Sequence, residues 1–264
     1  MGVTVERDGA FATVRLDRPD KHNGVNKEIL HGVVKVGRSL RRDRTLRGVI
    51  LAGNGPSFCA GADFSSLAAT PRDNLMNVLR MMSPWANVFQ QWGLVWRQLP
   101  VPVVACVQGV CFGAGIQLAL AADFRIAAPD ARFSVMESKW GLIPDMSGAL
   151  TLRGAVREDV AKELTMTGRI FGAEEAQALG IVGRVDADPL VAARALLEEI
   201  AVRSPDAVAG TKALFHRTRT AGRWRTLLTE RLIQVRLIGR GNQLVAVRNN
   251  TKKESKPYGP RKFS

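Results

Sequence analysis

Pro102 to Asp123 reads PVVACVQGVCFGAGIQLALAAD, which is two apolar runs separated by a glycine-rich turn. The run that ends at Gly109 is typical of a buried strand, and the run from Ile116 to Ala122 is typical of a helix. Small residues let the backbone approach a ligand closely, and the first amides of a helix have no partner within it. The stretch therefore predicts a strand, a turn and a helix that can hold an oxyanion, although such turns also occur without a ligand.

A second turn of this kind, Phe58-Cys-Ala-Gly-Ala-Asp63, comes earlier in the chain, just after a predicted strand. Neither turn is a dinucleotide fingerprint or a phosphate loop, because no GxGxxG opens a helix after the first strand and no Gly-Lys-Ser/Thr occurs. The two turns are thus candidates for binding an oxyanion, but they are not nucleotide-binding motifs of these two kinds.

Strands and helices alternate on both sides of the quoted stretch. Phe11 to Leu16 alternates like a half-buried strand, and Gly48 to Gly53 is a short apolar run closed by glycines. Between them, Asn26 can cap a helix whose apolar residues follow helical spacing, and Phe124 to Ala128 adds another strand. This order predicts an α/β fold.

The segment from residue 72 to residue 98 is mostly apolar at helical spacing, and we expect its large side chains to pack inward as ordinary core. These side chains are Met76, Leu79, Met82, Val88, Phe89, Trp92 and Trp96.

The last quarter of the chain predicts helices without strands, near residues 189–202, 205–217 and 222–238. We therefore expect an α/β core over residues 1–204, which holds the site, and a C-terminal helical region with a basic tail over residues 205–264. From Gly239 to Ser264 the tail has seven basic residues and one acidic residue. It is either solvated or binds phosphate.

Composition narrows the class of protein. With 264 residues, 46% of them hydrophobic and 23% charged, the chain can bury a large core, which excludes disorder over most of its length. No apolar run approaches the roughly 18 to 20 residues that span a bilayer, and the start does not resemble a signal peptide, so we expect a cytoplasmic protein.

The net charge of +14 indicates an anionic partner. Cys59, Cys106 and Cys111 lack metal-site spacing and are expected to be reduced core residues without a metal.

Two carboxylates in the stretch from Ala131 to Gly148 are candidates for proton transfer. Glu137 lies in an apolar context, and Asp145 follows eight residues later on a Pro-Asp-x-x-Gly turn before a new helix. Near one apolar pocket, two carboxyl groups can divide acid and base roles, because desolvation raises a carboxyl pKa toward neutrality. The structural alternatives are a surface or ion-paired Glu137 and a helix N-cap at Asp145.

Taken together, these motifs resemble the crotonase superfamily, the enoyl-CoA hydratase/isomerase family. The first match is LDRPDKHNGVN from Leu16 to Asn26, which is similar to the family pattern LxRPxKxNAxN. The other matches are the FxAGxD turn ending at Asp63, the glycine-rich turn and helix of residues 109–123, the AxFxxxE segment ending at Glu137, and the segment AEEAQALGIV of residues 173–182. The resemblance covers almost the whole chain.

This resemblance implies a spiral of ββα units followed by C-terminal helices that pack in trimers, often paired into hexamers. It implies an acyl-CoA thioester as substrate, so coenzyme A enters as part of the substrate and no separate cofactor is expected. The backbone N–H groups of Ala62 and Ala114 would form the oxyanion hole. The residues that would line the coenzyme A channel are Lys21, His22, Gly24, Ala60, Asp63 and Phe64.

The resemblance also allows the catalytic acidic positions of the family to be compared with this sequence. Hydratases of the family use two glutamates, and the first of these positions is Gln117 here, whereas the second is Glu137. Gln117 is not a base but can position water or a substrate carbonyl. Asp145 matches an aspartate that dienoyl-CoA isomerases use with a glutamate, although those enzymes have a further acid at the position of Gln117.

We therefore expect an acyl-CoA double-bond isomerase, for enoyl-CoA or dienoyl-CoA, in which Glu137 and Asp145 carry the proton. One alternative is an enoyl-CoA hydratase that uses Glu137, with Gln117 positioning water. A second is a non-catalytic or RNA-binding homologue, which would show steeply salt-dependent RNA binding. Membrane contact is not expected, and nucleic acid is the less favoured partner.

Overall fold

Two β-sheets with helices between and around them make up the fold, and the computed structural model describes residues 2–67, 70–82 and 84–264. The strands are β1 (Val3–Asp8), β2 (Phe11–Leu16), β3 (Gly48–Gly53), β4 (Val103–Val107), β5 (Val110–Phe112), β6 (Phe124–Ala127), β7 (Arg132–Ser134), β8 (Phe171–Gly172) and β9 (Arg184–Val185). The helices are α1 (Lys27–Arg42), α2 (Phe64–Leu67), α3 (Pro71–Met81), α4 (Val88–Arg97), α5 (Ala114–Ala121), α6 (Gly148–Leu152), α7 (Glu158–Thr167), α8 (Ala173–Ala178), α9 (Pro189–Ala201), α10 (Pro205–Thr218), α11 (Arg223–Leu237) and α12 (Gly241–Thr251). Within the described ranges, none of the helices has both the length and the apolar character that a bilayer span requires.

The larger sheet has the strand order β1-β2-β3-β4-β6-β9; β1 is antiparallel to β2 and the other neighbours are parallel. The second sheet has the order β5-β7-β8. The chain passes from the first sheet to the second at Gly109, which has a φ of +53°. A Cβ atom there would lie 2.0 Å from the carbonyl oxygen of Pro56, so only glycine fits. The predicted α/β class is confirmed.

The predicted strands and the first helix form where the sequence indicates them. β2 and β3 have the expected bounds, and α1 begins after Asn26. The side chain of Asn26 accepts a hydrogen bond of 2.8 Å from the backbone N–H of Ile29, which confirms the cap. The apolar face of α1 buries Ile29, Leu30 and Val33 against the core.

The apolar segment from residue 72 to residue 98 behaves differently in its two halves. In α4, Phe89, Trp92 and Trp96 are buried as expected, because this helix packs against α1 and α5. In and just after α3, the side chains of Met76, Leu79 and Met82 are exposed. The expectation that they pack inward is wrong, because α3 lies outside the layer that α4 forms with α1 and α5.

The C-terminal region is helical, as predicted, and α10 begins at Pro205. The basic tail is more ordered than the sequence indicates. It contains α12, and its last residues are hydrogen-bonded to the rest of the protein. The buried Asp206 carboxylate accepts hydrogen bonds from the backbone N–H groups of Lys262, at 2.6 Å, and Phe263, at 2.7 Å. Arg261 is also buried and donates to the carbonyl oxygen of Asp43. The end of the tail is therefore part of the folded body, and the division after residue 204 stays a prediction.

The three cysteines are buried thiols, as predicted. Burial raises the pKa of Cys59 and of Cys106 to about 12, and it raises the pKa of Cys111 as well. At neutral pH all three remain protonated, and a buried protonated thiol is a poor nucleophile.

Candidate active site

The two glycine-rich turns lie against each other. A short parallel bridge joins Cys59 to Cys111, and the backbone N–H of Phe112 donates to the carbonyl oxygen of Cys59 at 2.9 Å. Gly61 has a φ of +102°, and a Cβ atom on it would lie 3.0 Å from the carbonyl oxygen of Phe112 and 3.8 Å from the amide nitrogen of Ala114. The absence of a side chain at Gly61 thus lets the two backbones form one surface.

The amides of Ala62 and Ala114 are both on this surface and both available. The bonds from Val25 N to Gly61 O, at 2.8 Å, and from Asp63 N to Val25 O, at 3.0 Å, flank Ala62 without using its own N–H. Ala114 is the first residue of α5, where helix amides lack an internal acceptor. Among the described residues, neither amide donates to a backbone carbonyl. They can therefore donate to a negatively charged oxygen.

Trp92 fixes the position of one of these amides. It is fully buried in α4, and its indole Nε1 donates a hydrogen bond of 2.9 Å to the carbonyl oxygen of Ala114. This contact ties the first turn of α5 to the core helix α4. Sequence reasoning placed Trp92 in the core but not at the site, because only the tertiary packing of α4 against α5 shows the bond.

Glu137 lies beside the second turn, at the start of the short 3-10 helix Glu137–Trp140 that follows β7. Its side chain is 9% exposed, and its Oε1 atom accepts a hydrogen bond of 2.5 Å from Nε2 of Gln117. A Cβ atom on Gly113 would be 3.5 Å from Oε1, which places the carboxyl group next to the turn. Oε2 is buried without a hydrogen-bond partner among the described residues. The alternative of a surface or ion-paired glutamate is therefore wrong.

Burial is the main cause of the pKa shift of Glu137. Desolvation raises the pKa of this carboxyl group above its usual value, and the negative charge of Asp145 raises it further. Hydrogen bonds from its own backbone and from Gln117 lower the pKa by stabilising the carboxylate, but they do not cancel the effect of burial. A raised pKa suits a group that both accepts and returns a proton near neutrality.

Asp145 lies in the loop between that 3-10 helix and α6. It is not the N-cap of α6, because that position is Ser147, which has a φ of +67° and makes no capping bond. The N-cap alternative is therefore wrong. The side chain of Asp145 is exposed in the single chain, yet the surrounding protein desolvates it enough to raise its pKa. Its interaction with Glu137 shows that the two carboxyl groups lie within electrostatic reach of each other.

Gln117 links the two acidic segments. It is 1% exposed, its Nε2 donates to Glu137, and its Oε1 accepts a hydrogen bond of 2.9 Å from the backbone N–H of Met146. A Cβ atom on Gly148 would come within 2.5 Å of Oε1, so glycine is needed beside the amide. Protein atoms thus occupy both ends of this amide, and its expected role in positioning water or a substrate carbonyl stays a prediction.

The residues expected to line a coenzyme A channel form a connected group around the first turn. The backbone N–H of Ala60 donates to the carbonyl oxygen of His22 at 2.8 Å, and that of Gly24 donates to Lys21 at 2.9 Å. The ring of Phe64 contacts Trp140, with centroids 5.1 Å apart. The structure places these residues together, and their contacts with a ligand stay a prediction.

Arg18 is a residue of this region that the sequence reasoning missed. Its guanidinium donates to the Asp63 carboxylate at 2.6 Å and to the carbonyl oxygen of Gly24 at 3.2 Å. It thereby joins the loop that follows β2 to the turn that carries Ala62. Its place inside the LDRPDKHNGVN motif was the available signal.

Comparisons with known proteins identify the family of the chain. The sequence profile of the family described as Enoyl-CoA hydratase/isomerase matches residues 6–239. Carnitinyl-CoA dehydratase of Escherichia coli K12 is 34% identical over 215 residues, which are 80% of this chain and 79% of the relative. The mitochondrial Delta(3,5)-Delta(2,4)-dienoyl-CoA isomerase of Pongo abelii is 35% identical over 207 residues, which are 75% of this chain and 63% of the relative.

Solved structures extend the likeness to the whole chain. An enoyl-CoA hydratase from Bacillus anthracis superposes with a TM-score of 0.89 at 26% identity, covering 98% of this chain and 99% of its own. An enoyl-CoA hydratase from Mycobacterium tuberculosis H37Rv superposes with a TM-score of 0.86 at 28% identity, covering 98% of each chain. With the profile match over most of its length, the protein belongs to the enoyl-CoA hydratase/isomerase family and has the crotonase fold.

Proposed function

We propose that the protein is an acyl-CoA double-bond isomerase, acting on an enoyl-CoA or a dienoyl-CoA, in which Glu137 and Asp145 transfer the proton. The observation that supports this proposal is the buried Oε2 atom of Glu137 beside the Ala114 turn, which has no hydrogen-bond partner among the described residues, with Gln117 where a second glutamate would stand. One strong carboxyl base is sufficient for isomerisation, because the proton it removes from one carbon can be returned to another.

The two amides supply the electrostatic part of this reaction. Removal of a proton from the carbon next to a thioester converts the thioester to an enolate, which carries its negative charge largely on the thioester oxygen. The N–H groups of Ala62 and Ala114 would donate to that oxygen, and the loss of one such donor typically costs ~2.7 to 4 kcal/mol of transition-state stabilisation. Trp92 holds the Ala114 end of this pair in place before the substrate arrives.

The two carboxyl groups supply the proton transfer. Glu137, as carboxylate, takes the proton from the carbon next to the thioester, and the electron pair moves into the extended enolate. The proton then returns to a carbon farther along the chain, either from Glu137 or from Asp145. The raised pKa of both groups brings their acidic forms closer to neutral pH, which makes the return step easier.

The proposal is tested with 3-enoyl-CoA and 3,5-dienoyl-CoA as substrates, and formation of the conjugated product is followed by its absorbance. We expect turnover by the wild-type protein and its loss in the double variant Glu137→Gln/Asp145→Asn. Glu199→Gln, an exposed position on α9, is the matched control and should retain full activity. Wild-type turnover in the double variant would refute the assignment.

A hydratase or dehydratase that uses Glu137 is the second candidate, because relatives at 34% identity are named carnitinyl-CoA dehydratase. In that reaction Glu137 would add or remove the elements of water across the double bond, with Gln117 positioning the water. Oxygen-18 from labelled water would then appear in a 3-hydroxyacyl-CoA product. The isomerase proposal expects conjugated product without incorporation of the label.

The remaining expectations follow from the same proposal. Coenzyme A would be bound as part of the substrate, at Lys21, His22, Gly24, Ala60, Asp63 and Phe64. The protein would be cytoplasmic and would assemble as a trimer or as a hexamer. Light scattering on the purified protein can test the assembly.

A further inference from the structure

A large cavity lies outside the candidate active site, and none of the site residues lines it. It has a volume of about 770 Å³ and is bordered by the end of α4, the starts of β4 and β6, α6 and α10. That volume is within the range of about 300 to 1,000 Å³ that is usual for small-molecule sites. The proton-transfer residues do not explain why the fold keeps this space.

The charged lining of the cavity is strongly unbalanced. Counted over the described residues, it consists of five cationic side chains, Arg97, Arg125, Arg203, Lys212 and Arg219, and one carboxylate, Asp123. His216 also lines it, but burial lowers the pKa of this imidazole to about 4, so it is neutral at pH 7. The cavity therefore carries a net positive charge in a partly desolvated setting.

The single carboxylate is already paired. Lys212 lies 2.6 Å from Asp123, and the side chains are only 7% and 14% exposed. The same carboxylate accepts a hydrogen bond of 2.9 Å from the backbone N–H of Val103. Lys212 also donates to the carbonyl oxygens of Trp96 and Val101, at 2.9 Å and 3.0 Å. Asp123 is thus paired directly with Lys212. It also attracts Arg97 and Arg125 electrostatically, but among the described residues it is the one carboxylate set against five cations in this lining.

The arginines line the same cavity despite their like charges. Arg125 donates to the carbonyl oxygens of Ile181 and Ala122, at 2.5 Å and 2.8 Å, and within the described ranges no carboxylate forms a salt bridge with it. Burial lowers the pKa of Arg97, and the charge of Arg219 lowers it further. The guanidinium of Arg219 lies directly against Gly154, since a Cβ atom there would be 0.2 Å from its Nη2 atom. Several like charges that line one partly desolvated space favour the binding of an anion.

The rest of the wall is apolar. Leu120, Ile200, Val208 and Phe215 line the same space as the arginines. A small inorganic anion would leave these surfaces in contact with water, whereas a ligand with an apolar body would cover them. We propose that the cavity binds an amphipathic anion, a carboxylate or phosphate head group on an alkyl body, with Arg97 and Arg219 holding the head group.

The test is isothermal titration calorimetry with four probes at neutral pH. Dodecanoate and dodecyl phosphate combine a head group with an alkyl body and distinguish the two kinds of anion. Inorganic phosphate has only the head group, and decanol has only the body. We expect at least one of the first two probes to bind and the last two to bind at least about tenfold more weakly. Equal affinity for inorganic phosphate would overturn the proposal.

Two variants locate the binding. Arg97→Gln/Arg219→Gln removes two charges, and Thr211→Trp fills the cavity from α10 while leaving its charges in place. Each should weaken binding of the amphipathic probe at least about tenfold, because charged hydrogen bonds and enclosed apolar contacts are lost. The matched control is Arg217→Gln, which is exposed on the same helix but does not line the cavity.

Thermal unfolding checks that each variant is folded. Binding that is unchanged in both variants would mean that the probe sits elsewhere, including in the active site, and would overturn the proposal. A wild-type protein that binds none of the probes, while the double variant dissociates into smaller assemblies, would identify the cavity as a contact between copies of the chain and would also overturn it.

Discussion

Two carboxylates of this chain, the buried Glu137 and the partly buried Asp123, have opposite environments. Glu137 has a neutral amide, Gln117, as its partner, and burial raises its pKa. Its other oxygen has no hydrogen-bond partner in the part of the chain that the structure describes. Asp123 meets the ammonium group of Lys212 at 2.6 Å and a backbone N–H, so its charge is matched. A carboxylate whose charge is compensated supports the fold, whereas one that is buried with spare capacity is available for chemistry. Substitutions at and around the two carboxylates can test this contrast.

Replacement of Glu137 should have the largest effect. Glu137→Gln keeps the volume and a carbonyl oxygen for Gln117 but removes the base, so we expect turnover to fall by about 10²- to 10⁴-fold. The measurement is kcat with 3-enoyl-CoA, with an unchanged thermal unfolding midpoint as evidence of an intact fold. A drop below about threefold would place the base elsewhere.

At Asp123 we expect the opposite result. Loss of its cation should lower the free energy of unfolding and leave turnover almost unchanged. Lys212→Met leaves a buried carboxylate without its cation, which typically costs about 3 to 5 kcal/mol. Urea unfolding should show this loss, while turnover per folded molecule stays near wild type. Lys35→Met, on the exposed side of α1, is the control and should change stability by no more than about 0.5 kcal/mol. Equal stability of the two variants would contradict the comparison.

The backbone donor at Ala114 can be removed by proline. Ala114 is the first residue of α5, a position where helices tolerate proline, so Ala114→Pro deletes the N–H and retains the helix. We expect kcat to fall about 10²- to 10³-fold, the usual cost of a lost oxyanion donor. Ala114→Gly keeps the N–H and should remain close to wild type. Similar losses in both variants would assign the effect to packing.

The smallest expected effect is a shift in the pH profile. Because ionised Glu137 is the base, kcat/KM should rise with pH through its raised pKa. Asp145→Asn removes a negative charge that raises this pKa, so the acid limb should move to lower pH. Gln117→Leu removes a hydrogen bond that lowers it, so the limb should move to higher pH. Shifts in the same direction for both variants would exclude Glu137 as the titrating group.

Local patterns in the sequence were sufficient to predict much of the fold. β2, β3 and the Asn26 cap depend on residues within one turn or one strand, and they form where the pattern predicts. Glu137 was also recognisable, because a lone acid in an apolar segment is unusual. These features need no knowledge of which elements become neighbours.

Other features depend on tertiary contacts and were not predictable. The exposed apolar residues of α3 have the same spacing as the buried ones of α4, and only the packing of α4 against α1 and α5 separates them. Gln117 spans Glu137 and Met146, which are 20 and 29 residues away along the chain. The cavity likewise collects Arg97, Arg125 and Arg219 from separate elements.

The hydrogen bond from Trp92 to Ala114 also gives the protein an intrinsic optical reporter. The emission of an indole depends on the electric field around it, and this indole bonds to the peptide group that follows the Ala114 amide. A variant that retains only Trp92 of the five tryptophans would carry one fluorophore at the start of α5. Its emission would report the arrival of negative charge at that helix during turnover, without any added label.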